Sequence, residues 1–361
     1  MSLKIVFCWR LPTGYMRACW RELALRQGIE LFIIALNHRE GCNSEFDNSS
    51  LMAGIPHRLL RGNEIKDRDL VGRLVVSQKP DVVCISGWHY RSYRSLVYRG
   101  DLARSKFVMC MDTPRERGLK QALSRGVFGS YLNRINCAFV TGERCAQLGR
   151  YLGFKESRVK RGCTYGVDHE TLCQLFPRRK ELVGGWPRRF LFLGRYERMK
   201  GLDLLITAYS KYRQQVADAW PLTCCGSGPL GEMLRLCEGV EDRGFLQPEA
   251  LTEPLRESGA LVLPSLFEPW ASVIVESCSA GLPVVCSEAC GAGVELIREH
   301  YNGLVIPTGN SQAIVRALLW LHHHRELLPE MGRRSVAMAA PYAAQCWADR
   351  VVNALEELLA A

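Results

Sequence analysis

The chain has 361 residues, of which 47% are hydrophobic and 23% are charged, a composition typical of a folded protein with about two domains. The N-terminal segment MSLKIVFCWRLP has too short an apolar run for a signal peptide, and no apolar run approaches the ~20 residues of a membrane span. We therefore expect a cytoplasmic protein, with peripheral binding to the inner face of the membrane left open.

The net charge of +10 is unevenly distributed. Residues 1–165 carry 28 Lys and Arg against 14 Asp and Glu, whereas the rest of the chain carries 19 against 23. A basic N-terminal half suggests an anionic partner, such as phosphates, an acidic glycan or an anionic membrane, with simple solubility as the alternative. Neither an RNA-binding motif nor a zinc finger is present in the sequence, so nucleic acid is not expected.

Short apolar segments alternate with helical segments along the chain. LKIVFCW, IELFIIAL, DVVCIS, KFVMCM and CAFVT are predicted strands, and the rhythm restarts at RRFLFLGR with PLTCCG, LVLPS and LPVVCS. This alternation predicts two α/β domains with doubly wound parallel sheets. We place the N-terminal domain at 1–165, the C-terminal domain at 166–340 and a closing helix at 341–361.

Three motifs have competing interpretations. GSGPLG, with Gly226, Gly228 and Gly231, fits the dinucleotide fingerprint but follows the second strand of its domain, where it equally makes a tight turn. Asp67 and Asp69 have the Asp-x-Asp form of a metal site, yet they open an amphipathic helix, where acids are favoured. The run His322–His324 lies in a helical pattern, and we predict a solvated face rather than a metal site.

The segment FLGRYERMKG places two cations after a predicted strand. Arg195 and Lys200 lie in the loop between this strand and the helix that follows Gly201. Ligands of α/β sheets bind at the carboxyl ends of the strands. Since a guanidinium and an ammonium together suit a diphosphate, the loop predicts a phosphate-binding site.

The segment FEPWASVIVESC carries two glutamates eight positions apart, Glu268 and Glu276. Pro269 keeps Glu268 in a loop, and a helix predicted to begin near Ser272 carries Glu276 in its second turn. The helix start offers N–H groups to an anion, while carboxylates accept hydrogen bonds from sugar hydroxyls. The arrangement suggests a ligand with phosphates in the middle and a sugar at each end.

These motifs, in this order, resemble glycosyltransferases of the family 4 type, which have two facing Rossmann-like domains (the GT-B fold) with a C-terminal helix that crosses back to the N-terminal domain. The resemblance is densest from residue 190 to 306, a stretch that leads into NGLVIP. The earlier segment YGVDHETL, which begins at Tyr165, resembles the family's inter-domain segment. The resemblance implies that Arg195 and Lys200 neutralise the diphosphate of a nucleotide-sugar donor. It also implies that Glu268 contacts the transferred sugar and Glu276 the ribose.

The same resemblance implies further donor contacts. The backbone groups of Ser272 and Val273 would cap a phosphate, Phe245 would border the base, and Gly14 would mark the N-terminal loop near the donor. The family usually has a histidine after a strand of the N-terminal domain, and Asp112 stands at that place here, with His89 as a possible substitute. We assign Glu268, Arg195, Lys200 and Asp112 to catalysis.

The resemblance predicts a retaining glycosyltransferase that moves a hexose-type sugar, with UDP favoured over GDP, to a glycan or lipid-linked acceptor. No metal or other cofactor is expected, because protein cations can neutralise the diphosphate. Two alternatives stay open: an NAD-dependent oxidoreductase that uses the Gly226–Gly231 turn, and a non-catalytic protein that binds nucleotide-sugar.

Overall fold

The computed structural model describes residues 2–37, 45–116, 118–180 and 185–360. The chain forms two compact units, one made of Met1–Val167 with Ala344–Ala361 and the other of Asp168–Ala343. Each unit contains one parallel sheet with helices around it. Within the described ranges, no helix is both long and apolar enough to cross a membrane.

The N-terminal unit has a seven-stranded sheet in the order β3-β2-β1-β4-β5-β6-β7. Its strands are β1 Leu3–Trp9, β2 Ile29–Leu36, β3 His57–Leu60, β4 Val82–Ser86, β5 Lys106–Met111, β6 Cys137–Val140 and β7 Val159–Arg161. Its first helices are α1 Gly14–Ala24, α2 Asn48–Met52, α3 Arg68–Ser77, α4 Arg91–Ser95, α5 Leu119–Val127, α6 Gly129–Leu132 and α7 Glu143–Tyr151.

Both faces of this sheet are buried. Along β1, Ile5 and Phe7 belong to one apolar cluster and Val6 and Cys8 to the other, because successive side chains of a strand point to opposite faces. Continuous apolar segments such as LKIVFCW are therefore required, and they are the pattern that predicted a doubly wound sheet.

The C-terminal unit has a six-stranded sheet in the order β10-β9-β8-β11-β12-β13. Its helices are α8 His169–Cys173, α9 Leu175–Lys180, α10 Leu202–Arg213, α11 Gly231–Arg235, α12 Thr252–Glu257, α13 Ser272–Ser279, α14 Gly291–Leu296, α15 Ser311–His323 and α16 Leu328–Ala339. Its strands are β8 Phe190–Leu193, β9 Leu222–Cys225, β10 Val240–Asp242, β11 Ala260–Leu263, β12 Val284–Ser287 and β13 Gly303–Ile306.

In this sheet β8 and β11 are parallel neighbours, although β9 and β10 lie between them in the sequence. From β8 the chain continues to β9 on one side, and from β11 it continues to β12 on the other side, so the strand order reverses between β8 and β11. Such switch points are where doubly wound sheets bind their ligands.

The last helix, α17 Ala344–Ala360, returns to the N-terminal unit and packs on α1, as predicted. Its apolar residues Trp347, Val351 and Leu355 recur at helical spacing and are fully buried. Trp347 donates a hydrogen bond from Nε1 to the Cys163 carbonyl at 2.8 Å. The apolar spacing alone explains a helix here, and the indole bond fixes its position on the sheet.

The prediction of a solvated histidine face at the end of α15 is wrong for His322. This side chain is buried, and its Nδ1 shares a hydrogen bond with the Tyr212 hydroxyl at 2.8 Å. Its ring also lies against Trp220, at 5.5 Å between ring centroids. Since α15 packs on α10, one position of the three-histidine run has to face inward.

Arg179 in α9 is completely buried. Its guanidinium donates to the Ala280 and Gly281 carbonyls at 2.7 and 3.2 Å, where α13 ends. It also donates to the Leu255 and Arg256 carbonyls at the end of α12. A cation suits the carbonyl-rich ends of two helices, and burial lowers the pKa of this group. Arg179 thus fixes the C-terminal end of α13.

We predict that Arg179→Met lowers the free energy of unfolding of the C-terminal unit by about 2–4 kcal/mol, because the buried carbonyls lose their donor while the apolar volume is largely kept. Urea unfolding would measure this. The neighbouring Arg178 is exposed, so Arg178→Met serves as the control and should change stability little. Equal stability of the two variants would contradict the capping role.

Candidate active site

The site predicted around Arg195 and Lys200 lies at the switch point of the C-terminal sheet. The loop after β8 carries Arg195 and Lys200, and the loop after β11 carries Glu268. Because β8 and β11 are adjacent and parallel, both loops leave the same edge of the sheet. The fold therefore brings together residues that are about seventy positions apart in sequence.

The two loops are held together through their backbones. Gly201 has a left-handed conformation, with φ 70°, and a β-carbon there would lie 2.1 Å from the Pro264 carbonyl oxygen. The Leu266 N–H donates to the Met199 carbonyl at 2.8 Å. Glycine at position 201 thus permits an approach that any side chain would prevent, and this approach sets the position of Lys200.

The Lys200 ammonium forms an ion pair with Glu268 Oε2, and both side chains are largely buried. Glu268 is fixed in turn by its backbone, since it forms a parallel bridge with Cys290 and its carbonyl accepts from the Gly291 N–H at 3.1 Å. An ammonium carries three N–H donors and a carboxylate two oxygens. The pair can therefore keep its mutual contact and still bind a ligand from both partners.

Helix α13 begins beside this pair, and its start has an unusual geometry. Ala271, the residue before the first turn, is in the left-handed region with φ 75° and ψ 69°, where residues other than glycine are uncommon. Among the described residues no side chain caps this end. The backbone N–H groups of Ser272 and Val273 belong to the helix start, which is the kind of position that binds anions.

Glu276 lies in the second turn of α13, as predicted. Although the residue as a whole is only half-buried, burial of its carboxyl raises the pKa to about 7. A carboxyl group with this pKa is partly protonated near neutrality, so it can donate as well as accept a hydrogen bond. Such a group suits a pair of neighbouring hydroxyls, which offer both donors and acceptors.

Two other predicted residues lie around the same edge of the sheet. Arg195 is exposed and pairs with Glu197 at 2.8 Å. An exposed ion pair of this kind contributes little to stability. Phe245 is half-buried in the loop after β10, and the Gly226 N–H donates to the Gly244 carbonyl at 2.8 Å next to it. The ion pair and the helix start are therefore the more firmly positioned parts of the site.

Two glycines of the GSGPLG turn, Gly226 and Gly228, are explained by contacts within the chain. A β-carbon at Gly226 would lie 1.9 Å from the Gly194 carbonyl oxygen, and one at Gly228 would lie 2.7 Å from the Tyr196 carbonyl oxygen. The Tyr196 N–H also donates to the Ser227 carbonyl at 2.7 Å. The backbone of the β8 loop thus fills the space against these glycines, where the dinucleotide interpretation would put a pyrophosphate.

Gly14 and Asp112 belong to the N-terminal unit, where they follow β1 and β5. Asp112 Oδ2 accepts a hydrogen bond from the Tyr165 hydroxyl at 2.8 Å. The Tyr165 ring also meets Tyr15, next to Gly14, at 5.1 Å between ring centroids. Tyr165 therefore connects the two predicted positions, a role that sequence reasoning missed although Tyr165 opens the quoted segment YGVDHETL.

The alternative residue His89 lies on the loop after β4 and is exposed, with its ring against Tyr90. The metal-site motif around Asp67 has the structural role predicted for it, since the Asp67 carboxylate caps α3 through the N–H groups of Asp69 and Leu70. Capping of this kind explains the acidic pair without a ligand.

We predict that Glu276→Gln stabilises the ligand-free protein at pH 8 and much less at pH 5. The folded-state pKa of about 7 lies above the ordinary glutamate value of 4.5, so wild-type stability falls as pH rises between these values and stays low above them. The variant lacks this loss. At pH 8 its free energy of unfolding should exceed that of the wild type by on the order of 2 kcal/mol. This difference corresponds to a Tm higher by several degrees.

Thermal unfolding at both pH values would measure this difference. Glu232 is exposed on α11, and Glu232→Gln is the matched control, with no comparable dependence expected. A Tm difference for Glu276→Gln that is the same at pH 5 and pH 8 would contradict a buried carboxyl.

Residues 176–337 match the family described as glycosyl transferases group 1. The chain is 32% identical to the D-rhamnosyltransferase WbpZ of Pseudomonas aeruginosa over 187 residues, which is 48% of this chain and 47% of that protein. It is 30% identical to a D-inositol 3-phosphate glycosyltransferase of Salinispora tropica over 161 residues, 40% of this chain and 32% of that protein. These matches thus span less than half the length of either relative.

Solved structures resemble the fold over nearly the whole chain. Anabaena HepE in complex with UDP has a TM-score of 0.75 at 17% identity and covers 98% of this chain and 100% of its own. Sucrose-phosphate synthase from Thermosynechococcus elongatus has a TM-score of 0.75 at 15% identity and covers 99% and 100%. The chain therefore has the GT-B fold, and residues 176–337 of its C-terminal unit match the glycosyl transferases group 1 family.

Proposed function

We propose that this protein is a retaining glycosyltransferase that moves a hexose-type sugar from a UDP-sugar to a glycan or lipid-linked acceptor. The observation that carries the proposal is the contact between Lys200 and Glu268 beside the start of α13, at the switch point of the C-terminal sheet. This contact places a cation that would bind phosphate, Lys200, directly beside a carboxylate that would bind sugar hydroxyls, Glu268. HepE, which shares the fold, has been solved with UDP and with UDP-glucose.

The diphosphate of the donor would lie against Lys200, Arg195 and the N–H groups of Ser272 and Val273. As the bond between the sugar and the diphosphate breaks, negative charge accumulates on the leaving oxygen. Cations and helix N–H groups that are already in place stabilise this charge without reorganisation. For this reason the proposed reaction needs neither a metal nor another cofactor.

The two glutamates would bind the two sugars at either end of the diphosphate. Glu268 is held beside Lys200 and so lies next to the phosphates, where it would bind the transferred sugar. Glu276 lies in the second turn of α13, and its carboxyl of raised pKa would bind the ribose diol. Phe245, in the loop after β10, would border the base.

Gly14 and Asp112 would serve the transferred sugar or the acceptor from the N-terminal unit. The Asp112 carboxylate accepts a hydrogen bond from the Tyr165 hydroxyl. This bond would hold the carboxylate in position to contact a sugar hydroxyl. The basic N-terminal half would bind an acceptor that carries phosphate or is presented at an anionic membrane, at the cytoplasmic face. Nucleic acid is not among the proposed partners.

We predict that Lys200→Ala weakens UDP binding by about 1.5–3 kcal/mol, the range for a charge-assisted hydrogen bond in a shielded site. Arg195→Ala should have a smaller effect because Arg195 is exposed and paired with Glu197. Titration calorimetry would measure both. Arg198 is an exposed cation of the same loop, and Arg198→Ala is the matched control. Unchanged UDP affinity in the Arg195→Ala/Lys200→Ala double variant would refute the diphosphate site.

The two glutamates should fail in different ways. Glu276→Ala removes a contact to the ribose and should reduce the affinity for UDP itself. Glu268→Ala should leave UDP affinity close to wild type but reduce kcat for sugar transfer or donor hydrolysis, because its partner is the transferred sugar. Calorimetry with UDP and release of UDP from a UDP-sugar separate the two effects. Equal losses of UDP affinity in both variants would refute this division of roles.

A non-catalytic nucleotide-sugar-binding protein is the second candidate. Asp112 stands where the resemblance expects a histidine, and its carboxylate is engaged by Tyr165. Release of UDP from a UDP-sugar by the wild type, lost in Glu268→Ala, would decide for the enzyme. Tight UDP-sugar binding without any release of UDP, in the presence of candidate acceptors, would decide for the binding protein.

A further inference from the structure

Helix α5 of the N-terminal unit has its polar and apolar faces reversed. A surface helix of a globular protein normally buries its apolar face. In α5 the buried side chains are instead Gln121 and Ser124, whereas Leu119, Leu123 and Val127 are exposed. The reversal needs an explanation, because exposing apolar side chains to water is unfavourable.

The inner face is held by specific polar contacts. Gln121 donates from Nε2 to the Pro114 carbonyl at 2.8 Å, and its Oε1 accepts from the Glu116 N–H at 2.7 Å. Ser124 donates to the Gln121 carbonyl at 2.6 Å. The Tyr151 hydroxyl donates to the Ala122 carbonyl at 3.3 Å. The Ser124 bond lies within the helix, whereas Gln121 and the Ala122 carbonyl bond to groups outside it. These outside bonds fix the outward orientation of the apolar face, since turning the helix over would break them.

The outer face is a continuous apolar ridge. Leu119, Leu123 and Val127 are 84%, 66% and 71% exposed, and their spacing of four residues aligns them along one side of the helix. Ala122 and Gly126 lie between them and are exposed as well. Single exposed leucines are ordinary, whereas an aligned group of this kind marks an interaction surface.

Cations border the ridge on both sides. Lys120 and Arg125 are exposed, and at helical spacing they fall on opposite edges of the apolar stripe. The sequence of α5, LKQALSRGV, has no acidic residue. The whole N-terminal segment 1–165 has twice as many basic as acidic residues. An apolar stripe with flanking cations is the pattern of helices that lie in the interface of an anionic bilayer.

We propose that the outer face of α5 inserts into the surface of an anionic membrane, with Leu119, Leu123 and Val127 among the lipid chains and Lys120 and Arg125 at the headgroups. The helix follows β5 by way of Asp112, seven residues before Leu119. Membrane contact would therefore bring the bilayer surface to the segment proposed to serve the acceptor. That purpose rests on the proposed function, but the binding itself does not.

A second copy of the chain or a partner protein would also cover an apolar ridge. The charges favour the membrane, since two copies packed through α5 would bring Lys120 and Arg125 against cations of the same kind, whereas anionic headgroups neutralise them.

The test is binding of the full chain to vesicles of phosphatidylcholine mixed with phosphatidylglycerol, measured by flotation. Leu123→Lys separates insertion from simple charge attraction, because it adds a cation and removes an apolar group. If the ridge inserts, this variant binds about tenfold more weakly than wild type. Leu25, 76% exposed at the end of α1 in the same unit, provides the matched control: Leu25→Lys adds the same charge and should bind at least as well as wild type.

Three outcomes would overturn the proposal. The first is tighter binding by both lysine variants, which would mean attraction by charge alone. The second is no binding by the wild type at low salt. The third is a wild-type dimer in light scattering without vesicles that Leu123→Lys dissociates, which would assign the ridge to a second copy. Leu123→Lys should keep the wild-type Tm, since position 123 is exposed. UDP affinity should also be unchanged, so failure here is distinct from failure of the donor site.

Discussion

The close approach of the loops after β8 and β11 is the constraint on which the rest of the site depends. Backbone meets backbone there, and this brings the Lys200 ammonium against the Glu268 carboxylate. Gly201 lies against the Pro264 carbonyl, and a β-carbon at Gly291 would lie 2.1 Å from the Pro269 carbonyl oxygen. Glycine at both positions is therefore a condition for the ion pair, which in turn places a cation and an acceptor beside each other in a shielded crevice.

Helix α13 is the second fixed element of the site, and different means hold its two ends. At its C-terminal end the Arg179 guanidinium donates hydrogen bonds to the carbonyls of Ala280 and Gly281. At its N-terminal end the left-handed Ala271 turns the chain so that α13 begins beside Glu268. A helix held in this way presents its N–H groups to an anion with little freedom to move, and it carries Glu276 in its second turn.

The two units differ in how they treat charge and exposed apolar surface. The C-terminal unit pairs cations with carboxylates in the loops at the switch point of its sheet. The N-terminal unit carries the excess of basic residues, and its helix α5 uses polar side chains to hold an apolar ridge outward. Under the proposed function, the C-terminal unit would bind a soluble donor and the N-terminal unit an acceptor presented at a surface.

The sequence by itself determined the two parallel sheets, because a strand buried on both faces must be apolar throughout. It also determined Glu276 in the second turn of α13 and Asp67 as a helix cap, since both depend on local spacing. Only the tertiary structure decided that Lys200 contacts Glu268, that Tyr165 engages Asp112, that His322 is buried and that the GSGPLG glycines pack against the β8 loop. These features arise between segments far apart in the chain, and a local pattern carries no information about which distant backbone will lie against it.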